Sequence, residues 1–260
     1  MTPGPLEGRS PCDSAPSNGR EVQAAGLTGT KAESVRFAPD GRTLFTLSGE
    51  TITLRSWPQA ERLREMRFLP REPRGFTVLG TILAIAPDGE LLVTMVRHVN
   101  LSLGMVIDSV GGSLDLWETK SGKHVQRLAG SDGFTERAAF TGAGELIVTS
   151  DAPLWGDDEN ARKRSGGVVH VLDSGTRRVK RTFRVPGLVT ALTVSRDGRS
   201  AFFGGPDGRI HACDVMTGGV QYVLTGHHDG VTSLAVAGSG RRLVSTSHVA
   251  SALVWKPPEP

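Results

Sequence analysis

Aromatic side chains are scarce: one Tyr, four Trp and nine Phe make up 5% of 260 residues. A core with so few rings has to be assembled from many small aliphatic surfaces. Only two cysteines are present, Cys12 and Cys213, which rules out a disulfide framework and a Cys-x-x-Cys metal site. No apolar run approaches the ~18 residues of a membrane span. The opening "MTPGPLEGRSPCDSAPSNGR" has no apolar core of a secretory signal, so a cytoplasmic chain without membrane association is expected. The sequon at Asn100 then carries no meaning, since glycosylation requires secretion. Charge of one sign is also lacking. Thirty basic residues face 27 acidic ones, and a net +3 does not imply nucleic acid. Catalytic signatures are missing as well: there is no Gly-x-Ser-x-Gly elbow, phosphate loop or His-Glu-x-x-His. His227-His228-Asp229 is the nearest approach to a metal cluster, but neighbours on a strand point to opposite faces and cannot easily share an ion. No enzyme activity, cofactor or metal is expected.

Glycine is abundant, at 33 residues, and it marks a repeat. Five stretches pair alternating apolar residues with a Gly-containing turn and a second apolar run. They are "SVRFAPDGRTL" (34–44), "ILAIAPDGELL" (82–92), "RAAFTGAGELI" (137–147), "ALTVSRDGRSA" (191–201) and "SLAVAGSGRRL" (233–243). Each reads as a hairpin whose Gly takes a left-handed turn position. The turn glycines Gly41, Gly89, Gly144, Gly198 and Gly240 are spaced by 48, 55, 54 and 42 residues. A third run follows each: "LRSW", "LDLW", "VHVLD", "IHACD" and "LVWK". Most continue through a Ser/Thr-Gly turn into a fourth, as in "TGGVQYVLTG" (217–226). Four strands in a repeat of roughly 40–50 residues define an all-β propeller of four-stranded antiparallel blades, about five of them here.

These features resemble the WD-repeat family, in its bacterial form, over about residues 18–256. The best motif is Gly226-His227 ahead of Trp255; Trp57 and Trp117 end third runs in the same way. The resemblance implies a brace in each blade, in which a Gly-His imidazole, a Ser/Thr hydroxyl, a turn Asp and the Trp hold one another. The last unit has His227, Trp255 and either Ser245 or Ser247, but Val249 stands at the Asp position. The fourth keeps Asp207, with Val185 for the His and Cys213 for the Trp. Units one to three start with Gly29-Thr30, Gly75-Phe76 and Gly130-Ser131. No unit is complete, so apolar packing is expected to carry the blades, and restoring the carboxylate by Val249→Asp is expected to stabilise the last one.

Propellers close by pairing the first strand with the last blade, which removes exposed edges. Residues 19–28, "GREVQAAGLT", match an outer strand, and the chain ends after a third one. They are expected to pair with 251–256. The division is then a tail over 1–18, a propeller over 19–256 and a C-terminal tail over 257–260. Because "SPCDSAPSNGREV" resembles "HACDVMTGGVQYV", three arrangements stay open: a five-bladed ring, a piece of a longer propeller, or a partial ring completed by another chain.

The turn glycine lies 15 or 16 residues before the Trp position in units one, four and five, but 28 before it in units two and three. The extra residues are "VRHVNLSLGMVIDSVGG" (96–112) and "DAPLWGDDENARKRSGG" (151–167). The resemblance puts both on the face of the Gly-His loops, where long loops on a rigid scaffold concentrate binding residues; the alternative is that they simply lengthen two hairpins. Candidate partner contacts are His98 and Met105 in the first insert, and Trp155, Arg162, Lys163 and Arg164 in the second. An exposed Trp near arginines has the composition of an interface anchor. The stretch "RRVKRTFR" reads first as an outermost strand, with Lys and Arg discouraging edge-to-edge pairing. An anionic partner is the other reading, and without interleaved aromatics sequence-specific nucleic-acid binding is not expected. The inner strands offer little to ligate anything. The functional expectation is a non-enzymatic scaffold for protein partners, with self-association if the ring is incomplete. Alternatives are a lactonase- or lyase-like propeller enzyme, or the sensor part of a larger regulatory WD-repeat protein.

Overall fold

Alternating apolar and polar residues on both sides of a tight turn produce antiparallel hairpins, and the hairpins join into five sheets. The computed structural model describes residues 32–67, 77–102, 105–128, 137–150, 167–237, 242–249 and 251–257. Blade one contains β1 (Ser34–Phe37), β2 (Thr43–Ser48), β3 (Thr51–Ser56) and β4 (Arg62–Arg67). Blade two contains β5 (Thr77–Ile85), β6 (Leu91–Ser102), β7 (Met105–Glu118) and β8 (His124–Arg127). Blade three contains β9 (Arg137–Phe140), β10 (Leu146–Ser150), β11 (Gly167–Leu172) and β12 (Val179–Val185). Blade four contains β13 (Ala191–Val194), β14 (Ser200–Gly204), β15 (Ile210–Asp214) and β16 (Val220–Leu224). Blade five contains β17 (Val231–Val236), β18 (Leu243–Ser247) and β19 (Ala252–Trp255). Strands pair in chain order within each sheet, and the fifth sheet has three strands. Among the described residues no helix is long and apolar enough to cross a membrane.

The expected turns form for a local reason. Gly41, Gly89, Gly144 and Gly198 adopt φ values of 63°, 73°, 84° and 74°, which a side chain would strain. In the first of them Asp40 accepts hydrogen bonds from the backbone N–H groups of Arg42 and Thr43, at 2.8 and 2.9 Å, so the Pro-Asp-Gly turn is held by its own carboxylate. Gly240 lies outside the described residues.

The core is divided among the joints between blades. Phe45 and Leu47 of β2 meet Leu92, Val96 and Trp117 of blade two. Val93, Leu114 and Leu116 meet Leu146, Val148 and Leu172 of blade three. Val169 and Val171 meet Ala201, Phe203 and Cys213 of blade four. Phe202, Ile210 and Ala212 meet Val231, Leu234 and Leu243 of blade five. The rule is constant: alternation sends one face of each sheet to the preceding blade and the other to the following blade. Successive inner strands touch in the order β1, β5, β9, β13, β17.

A fifth joint, between blade five and blade one, would close the ring. No buried apolar cluster forms there among the described residues. On blade one, Val35 and Phe37 are 50% and 51% exposed; on blade five, Val254 is 61% exposed and Ala235 and Ala252 are also exposed. Among the described residues the apolar joints therefore number four, one between each pair of successive blades. Residues 19–28, expected to complete the fifth sheet, lie outside the described residues.

Candidate functional site

Blade five carries the brace. His227 and Ser245 are buried, and the Trp255 indole lies 6.1 Å from the imidazole, edge to face. Trp255 Nε1–H donates to Ser245 Oγ at 2.7 Å, and Ser245 Oγ lies 2.6 Å from His227 Nε2. On its other side, His227 Nδ1 lies 2.9 Å from Ser251 Oγ, which is 2.8 Å from Ser247 Oγ. Indole is only a donor, so one polarity satisfies every member: Ser245 donates to Nε2, and Nδ1–H donates to Ser251. The hydroxyl beside the indole is thus Ser245, and Ser247 ends the chain. The group facing Nδ1 is Ser251 and not residue 249, and Val249 is 62% exposed. Gly226 has its own reason, because a Cβ there would sit 2.8 Å from the Trp255 ring.

Register corrects one structural assignment. Trp117, Cys213 and Trp255 stand opposite Leu92, Ala201 and Leu243, and Leu172 stands opposite Leu146. In blade one the equivalent pair is Leu44 with Arg55, so Arg55 holds the position assigned to Trp57. Trp57 lies beyond β3, its ring edge-on to Phe37 at 5.3 Å. Blade two has a partial brace that spacing did not reveal. Trp117 Nε1–H donates to the buried Thr94 Oγ1 at 2.9 Å. One turn of the strand away, the buried Asp115 accepts from Ser113 at 2.5 Å and pairs with His124 Nε2 at 2.8 Å and Arg127 at 3.5 Å. Blade four is apolar at the same places: Val185 and Cys213 are buried in one cluster, and Asp207, exposed, serves its own turn by accepting from Arg209 N–H at 3.1 Å. Burial pushes the Cys213 thiol up to about 11, so it stays protonated.

The first insert is not a loop. Residues 96–112 continue β6 and β7 as one hairpin in which His98 stands opposite Gly111 and Met105 opposite Ser102, at the tip. The N-terminal half of β5 extends with it, pairing Thr77 with Val99. Beyond Val96 the strands run six more residues, ~20 Å at the usual rise. The arm leaves from the end of the sheet where inner strands begin, which is the end of the His227 loop. Trp155, Arg162, Lys163 and Arg164 lie outside the described residues.

The basic stretch is an edge strand, as read: β12 is outermost in its sheet. Lys180 Nζ lies 2.9 Å from Asp173 and 3.1 Å from Glu145, and Arg181 donates to the Val215 carbonyl at 3.2 Å. The backbone N–H of Thr176, and after it the Lys180 ammonium, hold the Asp173 carboxyl well below the usual range.

Two hollows remain. One, of about 510 Å³, lies between blades one and two at the turn end, with Phe45, Leu54 and Leu63 inside and Asp40, Asp88 and Lys120 at its rim. The other, of about 520 Å³, is the lumen, lined from β1, β5, β9, β13 and β17. Here the sequence reading fell short: Arg36 and Arg137 both line it. Their signal was an arginine within otherwise small and apolar inner strands.

Residues 218–255 match the family model of the WD domain, G-beta repeat. The chain is similar in structure to the β-propeller domain of Cps50 (Swd1) from Myceliophteria thermophila. That likeness has a TM-score of 0.62 at 16% identity, over 88% of this chain and 66% of that one. It is also similar to a chain of Kuenenia stuttgartiensis hydrazine synthase, with a TM-score of 0.61 at 14% identity, over 86% of this chain and 70% of the other. It spans just under two thirds of the first neighbour's length. The class these sheets define is the β-propeller. Within it, the repeat ending at Trp255, with its imidazole–hydroxyl–indole brace, is a WD repeat.

Proposed function

We propose that the protein is a non-enzymatic scaffold that receives protein partners at the end carrying the His227 loop. The observation that carries this reading is the arm of blade two. A hairpin extension of ~20 Å, flanked by β5 over its first half and standing at the end of the His227 loop, adds contact surface. Protein recognition of standard size needs about 800 Å² on each partner, more than one loop supplies. The second insert, with Trp155 as anchor and Arg162, Lys163 and Arg164 steering approach, would stand on the adjacent blade.

An enzymatic reading has one supporting observation, the likeness to a chain of hydrazine synthase, which at 14% identity concerns the fold. Placement inside a larger regulatory protein is the other reading.

The test is affinity purification with mass spectrometry, followed by a variant in which residues 97–112 are replaced by Asn-Gly. Val96 and Ser113 are cross-strand partners, so a two-residue turn can join them. The captured partner should be lost while the protein stays folded. Retention of that partner by the shortened protein, and by Trp155→Ala, would overturn the assignment of this face.

A further inference from the structure

The rim of blade four is an edge without the protection that the rims of its neighbours have. β16 is the outermost strand of its sheet, and among the described residues the backbone of Val220–Leu224 pairs with β15 alone. An edge strand leaves alternate N–H and C=O groups unbonded, and Lys or Arg along it keeps a second chain away. The outermost strands of blades one, two and three follow that rule. β4 holds Arg62, Arg64 and Arg67, β8 holds Arg127, and β12 holds Lys180, Arg181 and Arg184. β16 breaks it: from Val215 to Gly226 the chain has no charged residue and no proline.

The side chains suit pairing as well. Tyr222 and Leu224 pack against the cluster shared with blade five, which holds the strand in place. Val220 and Val223, opposite Cys213 and His211, are 46% and 41% exposed. The Gln221 amide oxygen is taken up within the blade, accepting from Ser200 Oγ–H at 3.0 Å. The shift of register opposite Ala212 and Cys213 puts the bulge at Gln221 and leaves the strand regular from Tyr222 onward. A strand laid antiparallel there meets aromatic and β-branched residues and no charge.

Self-complementarity selects the occupant. A two-fold axis through Val223 sets Val223 against its own copy and Tyr222 against Leu224, each pair on one face of the joined sheet. No like charges meet in that register. A copy laid on β4, β8 or β12 instead gathers arginines from both chains on one edge.

We propose that two copies of the protein associate edge to edge through β16, antiparallel about Val223, so that their two blade-four sheets become one. The contact lies on the outer rim and does not depend on what the end carrying the His227 loop binds.

The experiment is sedimentation equilibrium of the purified full chain over about 1–300 μM, where a short contact with a dissociation constant of roughly 1–100 μM titrates. Amide exchange at the two ends of that range should show protection rising in Val220–Leu224. Val223→Lys and Val223→Glu should each weaken the dimer about tenfold or more, because like charges then face each other across the axis. The side chain is exposed, so both variants should melt like wild type. Mixed one to one they should regain a dimer, since Lys then faces Glu; a merely local disruption would not be rescued. Val179→Lys, on the basic edge of β12, should associate like wild type. A protein that is monomeric over the whole range overturns the proposal. So does a dimer that both single variants keep, a mixture that stays monomeric, or protection that rises elsewhere and not in β16.

Discussion

Ser245→Ala tests how blade five is held together. The residue is 1% exposed, and its hydroxyl joins two rings, accepting from Trp255 Nε1–H at 2.7 Å and meeting His227 Nε2 at 2.6 Å. Removing it has unequal consequences for the two partners. Trp255 is only half-buried and can recover a bond to water, so its loss is that of an ordinary hydrogen bond, about 0.5–1.5 kcal/mol. His227 is buried, and its Nε2 would be left without a partner, at a further cost of about 1–3 kcal/mol. The sum is about 2–4 kcal/mol, a large part of the roughly 5–15 kcal/mol typical of a folded domain. At ~2–4 °C per kcal/mol for a chain of this size, the melting temperature should fall by roughly 4–16 °C. Urea unfolding followed by tryptophan fluorescence reads the change. A double-mutant cycle with His227→Ala should show coupling of at least about 0.5 kcal/mol. If Ser245→Ala lies within 0.5 kcal/mol of wild type, the brace contributes nothing and the blade stands on apolar packing alone.

Val249→Asp should change stability by less than about 0.5 kcal/mol, since that side chain is largely exposed, whereas Ser251→Asp puts a carboxylate against Nδ1 and should raise the urea midpoint. Cys213, buried and with its thiol pushed up to about 11, should resist iodoacetamide at pH 8 in a folded Cys12→Ser protein and react once urea unfolds it; native labelling would refute that burial. His211 is buried with Nδ1 unpartnered, and desolvation lowers its pKa below the ordinary value near 6.5. The unfolded chain therefore binds the proton first, so stability should be level above about pH 6.5 and fall as pH drops below it, and His211→Gln should flatten that slope. Deleting residues 1–30 should promote association measured by sedimentation, because β19 is the last strand of its sheet and 19–28 have the pattern of its partner; a monomer with unchanged melting would sink the pairing.

Much of the architecture was legible because its signals are local. A Gly that must take positive φ, with alternating residues on both sides, marks a hairpin without reference to the rest of the chain, and four of the five turn glycines adopt that conformation. Position along a strand is less local. Trp57 looked like the last residue of a third strand, but the β2–β3 turn has only two residues, which draws Arg55 into the equivalent place. Likewise Val249 follows the family's spacing, while the partner of Nδ1 was settled by where Ser251 folds back. The second-unit insert announced its length but not its form: "VRHVNLSLGMVIDSV" alternates well enough to continue a hairpin, and pairing decides between strand and loop. The lumen arginines were in plain view, yet only the meeting of five inner strands gives two of them a common space.

The four apolar joints among the described residues also bear on how the protein comes apart. A closed ring unfolds as a unit, since each blade is clamped from both sides. With those joints alone the blades behave as a linear stack, in which blades two, three and four each have two packed neighbours and blades one and five have one. Fraying should start at the ends and travel inward, with amide protons of β10 and β14 exchanging last and those of β2 and β18 first. Any segment that packs against both Phe37 and Val254, which are exposed, would convert the stack into a loop. That conversion would raise the protection of the two end blades far more than that of the middle three.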